Sequence, residues 1–222
     1  MAYRRTDNVV RQLAARHGAI MAAAAALAAE GGMGAVQIAA VAARANIAAG
    51  TVYRYFPSKT DLIAALVVAQ TEMEIVAIGE AAGAAPGPLS ALAAAIASFA
   101  ARALESRRLA SAMLAEPVEL ALDTARLPYR RALAGEFERR IAGAIERGHL
   151  PAQSPSLAAA ALMGALVDGS IGPLAPPNNG PAAIRDQVQS LTLFALRALG
   201  VVDARARGLV VQMALPPGDP AG

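Results

Sequence analysis

"NIAAGTVYRYFPSKTDL", residues 46–62, decides how this chain is read. Elsewhere the sequence is mostly alanine, leucine and arginine in helical runs. Here positions 53–56 hold two of the chain's four tyrosines and one of its four phenylalanines, and Lys59, the only lysine, follows. A short helix is expected before it, over about 37–44, with Ile38, Val41 and Ala42 as its apolar patch. A tight connection, "ANI", leads to a second short helix from about Ala48 to Tyr55. Pro57 ends that helix, because proline disfavours helix in the residue before it and lacks an amide hydrogen. Ser58 then caps a long fourth helix, with Asp61 completing a capping-box-like pair, and that helix runs to about residue 81.

Two short helices joined by a three- or four-residue turn make a helix-turn-helix, whose second helix can lie in a DNA major groove. Val41 and Ala42 can pack against Ile47 and Val52, and Asn46 suits a left-handed turn position. Val52 and Phe56, four residues apart, face inward. The outward face is then Ala49, Gly50, Tyr53 and Arg54, with Thr51 at its edge. A leucine at 53 or 55 would be stranded in water, whereas tyrosine offers an apolar body and a hydroxyl for a phosphate oxygen. Lys59 opposes the dipole of its own helix, and makes sense beside a phosphate held by the free amides of the helix start. Small residues at Ala48, Ala49 and Gly50 let the backbone approach a groove floor. Taken alone, Tyr53 and Tyr55 are more often ordinary packing residues; their combination with the turn, the small residues, the proline stop and Lys59 reverses that reading.

The wider chain agrees. Residues 1–60 carry seven basic side chains against Asp7 and Glu30, a net of +5, while the remaining 162 residues carry a net of −2. That asymmetry suits a polyanionic partner. Arg4 and Arg5, ahead of the first helix, either enter a neighbouring minor groove or are simply solvated. With no cysteine and two distant histidines, His17 and His149, neither a disulfide framework nor a locally spaced zinc site nor a histidine triad is available. No nucleophile or phosphate-loop spacing supports an enzyme, and no metal or cofactor is expected. The apolar run "AIMAAAAALAA" (19–29) is too short to span a bilayer, and a cytoplasmic protein is expected.

Strand signals are weak and the expected class is all-α, with about nine helices. The first should run from about Asp7 to Glu30, burying a stripe that includes Val10, Leu13, Ala14, Ile20, Met21, Ala24 and Leu27, with His17 packed beside it. Further helices are expected at about 88–105, 107–121 (disturbed by Pro117), 124–148, 156–171 and 182–199. The domains expected are a helix-turn-helix unit over 1–60, a helical effector-binding and dimerisation unit over 61–200, and a loosely ordered tail over 201–222.

The segment 38–66 resembles the DNA-binding segment of the TetR (tetracycline-repressor) family of bacterial transcription regulators. Val41, Ala42, Ala45, Ile47, Gly50, Thr51, Tyr53, Tyr55, Phe56, Lys59 and Leu62 carry the likeness. It is specific over roughly 10–66 and architectural beyond residue 85. The resemblance implies phosphate contacts from Thr51, Tyr53, Tyr55 and Lys59, and base-edge approach by Ala49, Gly50 and Tyr53, with Arg54 able to reach either. The chain departs from the pattern in three ways. Ala48 stands where a serine usually caps the recognition helix, Gln37 where a threonine usually starts the preceding one, and Ala39 and Ala40 replace polar residues. Base discrimination would then lean on thymine methyls and DNA shape.

One helix-turn-helix covers half a site, so a homodimer on a palindromic operator is expected. Its interface is expected on the last two of these helices. Leu157, Ala161, Gly164, Ala165 and Gly169 offer small-residue spacing on one, and Ile184, Val188, Leu191, Ala195 and Leu199 line the other, in a four-helix arrangement. A pocket for a small, mostly apolar effector is expected among Phe99, Met113, Leu114, Tyr129, Leu133, Phe137 and Met163, with Glu116 or Asp168 as polar contact. Effector binding would release the repressor from its operator. The alternative is a helical small-molecule-binding protein whose DNA binding is lost or secondary.

Overall fold

The structure, a computed structural model, describes residues 2–116, 120–177 and 180–212, with side chains from residue 9 onward except those of 120–122 and 125. Pro117, expected to disturb a helix, and the side chains of Arg4 and Arg5 lie outside this description. Among the described residues the chain is all helix. Its elements are α1 (Ala2–Gly31), a 3-10 turn (Met33–Ala35), α2 (Ile38–Arg44), α3 (Ala49–Tyr55), α4 (Lys59–Gly83), α5 (Pro88–Glu105), α6 (Arg107–Leu114), α7 (Leu120–Glu146), α8 (Pro155–Ser170), α9 (Pro181–Ala198) and α10 (Asp203–Gln212).

Local chemistry sets many of these bounds. Ser58 Oγ accepts the Asp61 amide at 3.1 Å and donates to Asp61 Oδ2 at 2.7 Å, tying the start of α4. Ser154 Oγ accepts the Leu157 amide and caps α8. Proline opens α5, α8 and α9, where its missing amide hydrogen costs nothing. By contrast α2 and α3 start on Gln37 and Ala48 with no side-chain cap.

The body is built around α5, which packs against α4, α7 and α9 and buries Leu92, Ile96, Phe99 and Leu104. Alanines let these helices approach closely, while Phe99 and Phe137 fill the centre edge to face, ring centroids 6.3 Å apart. By length and hydropathy α4 and α5 each reach what a membrane crossing requires. In this bundle α5 spends that hydropathy on core packing.

Three expectations are corrected. Helix α1 begins at Ala2, and among its described side chains burial starts at Ile20: Val10 and Leu13 are exposed, at 58 % and 45 %. The helix expected over 107–121 stops at Leu114. The tail expected to be loose contains α10, which inserts Ala206 and Val210 into the core, while Asp203 accepts hydrogen bonds from Arg197 (2.7 Å) and Arg207 (2.9 Å). Residues 213–222 lie outside the description.

The caps predict stability changes measurable by urea denaturation. Ser58→Ala is expected to cost about 1 kcal/mol, and Ala48→Ser to add up to about 1 kcal/mol by supplying the acceptor that α3 lacks.

Candidate functional site

Helix α3 is set by what it buries. Val52 is fully buried and Phe56, just past its end, is 6 % exposed, in one cluster with Ile20, Ala24, Val41 and Leu62. The turn before it holds Asn46 at φ 54°, the left-handed conformation that asparagine tolerates. With that face fixed, Tyr53 is 52 % exposed and Ala48, Gly50 and Arg54 are exposed, while Ala49, Thr51 and Lys59 are half-buried. Arg54 and Lys59 have no ion-pair partner among the described residues. A Cβ on Gly50 would meet no described atom within 4 Å. Packing within the subunit therefore does not demand a glycine there, although glycine within a helix costs about 1 kcal/mol relative to alanine.

Other polar side chains near this face have partners within the subunit. Tyr55 is half-buried, its hydroxyl donates to the Leu13 carbonyl at 3.4 Å, and His17 lies over it and over Phe56, with centroids 6.2 and 5.4 Å away. It braces α1 against α3. Gln37 turns back to donate to the Gly34 carbonyl at 2.9 Å. Arg44 is neutralised by a bidentate pair with Glu30 at 2.6 and 2.7 Å, and this holds the Glu30 carboxyl below its ordinary value.

The end of α1 is clasped by the body. Arg108 of α6 donates to the Gly31 carbonyl at 2.9 Å, and the Met33 amide donates to Glu116 Oε2 at 3.1 Å. Gly32 sits between them at φ 74°, where a Cβ would come within 2.1 Å of Arg108 Nη2 and 2.5 Å of Glu116 Oε2. The last turn of α6 is held by buried Arg126, which donates to the Ala112 carbonyl and, at 2.5 Å, to that of Glu116. Glu116, expected in the effector pocket, therefore belongs to this junction. Because α6 ends at Leu114, Glu116 reaches the end of α1 rather than the cavity.

Behind α6 lies a cavity of about 30 Å³, room for roughly one water, lined in part by Phe99, Met113, Leu114 and Tyr129. Leu133, Phe137 and Met163 are buried core without lining it, and Asp168 is exposed on α8. The acid in the wall is Glu74 of α4, whose Oε1 accepts from Arg102 Nε at 2.8 Å. Its Oε2 is buried and has no hydrogen-bond partner among the described residues. Burial pushes the Glu74 carboxyl up, with Arg102 opposing; burial and the nearby Glu74 push the Tyr129 phenol up as well. Sequence reading missed Glu74, Arg102, Arg108 and Arg126. A larger open groove of about 670 Å³ runs between α4, α5 and α10 and shares Arg102 with the cavity.

On α8 and α9, Leu157 is 70 % exposed, and Ala161 and Gly164 are also exposed. Ala165, Ile184 and Leu191 are half-buried. Val188, expected at an interface, is buried against α5, Ala195 is buried at the floor of the α8–α9 groove, and Leu191 fills the space where a Gly169 side chain would stand. Phe194, which sequence reading missed, is 57 % exposed beside Leu157 in a groove of about 310 Å³.

The structure thus joins an exposed helix-turn-helix to a helical body that holds a small cavity of mixed lining. Residues 20–66 match the family model of bacterial regulatory proteins of the tetR family. The HTH-type transcriptional repressor KstR of Rhodococcus jostii is 51 % identical over 53 residues, covering 24 % of this chain and 25 % of that one. KstR of Mycolicibacterium smegmatis is 57 % identical over 44 residues, covering 20 % and 22 %. The chain thus spans a quarter or less of the length of the curated relatives it matches. Among solved structures, RolR in complex with resorcinol superposes with a TM-score of 0.67 at 23 % identity, covering 94 % of this chain and 98 % of that one. FadR of Bacillus subtilis in complex with stearoyl-CoA gives 0.65 at 20 % identity, covering 88 % and 98 %. A tetR-family regulatory protein of Rhodococcus RHA1 gives 0.67 at 21 % identity, covering 85 % and 98 %. The helix-turn-helix segment belongs to the tetR family of bacterial regulatory proteins, and the whole chain has the fold of that family's solved members.

The junction makes a direct prediction. Gly32→Ala combines backbone strain with a collision at Arg108 and Glu116, and is expected to cost about 1–3 kcal/mol in urea denaturation.

Proposed function

We propose that this tetR-family regulator is a repressor that binds a palindromic operator as a homodimer and is released by a small, mostly apolar effector. The observation that carries the reading is the outward face of α3 with the start of α4. Tyr53 and Arg54 project from a helix whose other side is locked by Val52 and Phe56, and Gly50 leaves the backbone open to close approach. Tyr53, Thr51 and Lys59 are the phosphate contacts in this reading, and Arg54 serves either phosphate or base. Ala48, Ala49 and Gly50 approach the groove floor. Residues 1–60 bind DNA, and 61–200 bind effector and partner. The partner face is the α8–α9 groove, with Leu157, Ala161, Gly164 and Phe194 packing across a two-fold axis. The protein works in the cytoplasm, where its DNA is.

The effector site is the cavity behind α6. It is favoured over the larger groove because α6 contributes Leu109, Met113 and Leu114 to the cavity wall and Arg108 to the clasp on α1. The groove touches neither α1 nor α6 among the described residues. A molecule that enlarges the cavity displaces α6, and with it the seat of the helix-turn-helix. It lowers DNA affinity by its preference for that displaced state. The small-molecule complexes of RolR and FadR support a ligand-responsive body.

A second reading, a ligand-binding helical protein with lost or secondary DNA binding, draws on the uncapped starts of α2 and α3. Gel shift with the region upstream of the protein's own gene separates the two. Under the repressor reading, affinity falls at least about tenfold between roughly 50 and 200 mM salt. The Tyr53→Phe, Lys59→Ala double variant then weakens binding about tenfold or more with melting temperature and oligomer size unchanged. Affinity that ignores salt, or a double variant that binds like wild type, favours the second reading.

A further inference from the structure

We propose that Glu74 is the polar anchor of the effector site, and that the effector is a neutral apolar molecule carrying a hydroxyl group that donates to Glu74 Oε2. This rests on the ligand-responsive reading above and deepens it by naming the ligand's chemistry.

The first support is an unmet acceptor. Glu74 Oε1 is occupied by Arg102 Nε at 2.8 Å, while Oε2 is buried without a donor among the described residues. A buried carboxylate oxygen left unsatisfied is costly, and a ligand donor repays it. The second support is placement. Glu74 lines the same cavity as Phe99, Met113 and Leu114, with the buried Tyr129 beside it and Gln70, Arg102 and Ser106 as the other polar side chains of the wall, so a hydroxyl directed at Oε2 would leave the rest of the molecule against Phe99, Leu109, Met113 and Leu114. The third is charge. One arginine already offsets the one carboxylate. An anionic ligand would meet Glu74 head on in a poorly solvated space, and a cationic one would have to compete with Arg102 for the same oxygens. A neutral donor meets neither obstacle. The burial that pushes the Glu74 carboxyl up also makes Oε2 a more basic acceptor.

Size supplies the coupling. At about 30 Å³ the cavity holds far less than a ring, so occupancy must push back its wall. Leu109, Met113 and Leu114 sit on α6, an eight-residue helix that also carries Arg108 of the clasp on α1. The hydroxyl gives the ligand its address, and its apolar bulk moves α6.

The test titrates the full chain with three matched probes, 4-propylphenol, propylbenzene and 4-propylbenzoate, by calorimetry. It is repeated on Glu74→Leu and on the shape-preserving Glu74→Gln, with folding checked by circular dichroism. The phenol is expected to bind wild type at least tenfold more tightly than either of the other two. That preference is expected to vanish in Glu74→Leu and to fall at least threefold in Glu74→Gln, which decides the matter if the leucine variant does not fold. The proposal is overturned if the benzoate binds as well as the phenol, if the phenol's advantage survives in the folded variants, or if no probe binds wild type. A separate gel-shift arm keeps the two readings apart. A phenol that binds through Glu74 yet leaves the DNA complex intact refutes release by occupancy of this cavity, and loss of the Glu74 dependence refutes the anchor whatever the DNA does.

Discussion

Everything outward about this protein follows from what Val52 and Phe56 bury. They point into one cluster with Val41 and the second half of α1, and this sets the rotation of α3 about its own axis. A seven-residue helix has little stability of its own and, here, no side-chain cap. Its orientation therefore comes from packing rather than propensity. Turning α3 by one residue, about 100°, would bury Tyr53 and expose Val52. The constraint is hydrophobic, and its consequence is a polar face with a fixed aim.

The same economy recurs at the junction. Helices α1 and α6 pack against each other, and directional hydrogen bonds are added to that packing. Arg108, Glu116 and a glycine that admits no side chain clasp the end of α1, and Arg126 secures the last turn of α6 from the other side. A few directional hydrogen bonds are well suited to two discrete arrangements, since a modest shift of α6 breaks them together. The nearby cavity wall is built from the same helix, so a change in the wall is felt at the clasp.

How legible this was depended on which physical signal each part carried. The helix-turn-helix could be read because its cues are local: Asn46 for the left-handed turn, Pro57 as a stop, Ser58 and Asp61 as a cap, and an apolar spacing of four. The all-helical class followed from patterning in the same way. Side-chain facing in the body was harder. Glu72 and Glu74 both stand in one apolar run, and nothing local says that only the second turns inward to meet Arg102, which lies 28 positions on. The contact of Tyr55 with the Leu13 carbonyl was not legible, because the two lie 42 residues apart in sequence. Glu116 was misplaced because α6 was expected to run on beyond Leu114. The alanine-rich stripes of α8 and α9 gave no way to tell a face toward α5 from a face toward solvent. Val188 took the first, Leu157 and Phe194 the second, and Ala195 lies at the floor of the groove between α8 and α9.

The central claim is that the outward face of α3 and the start of α4 meet duplex DNA. Amide hydrogen exchange on the full chain, with and without duplex from upstream of its own gene, tests this most directly. The account predicts new protection concentrated in residues 48–60, with little change in the α4–α5–α10 groove. Protection that spares 48–60, or that appears mainly along that groove, would contradict it.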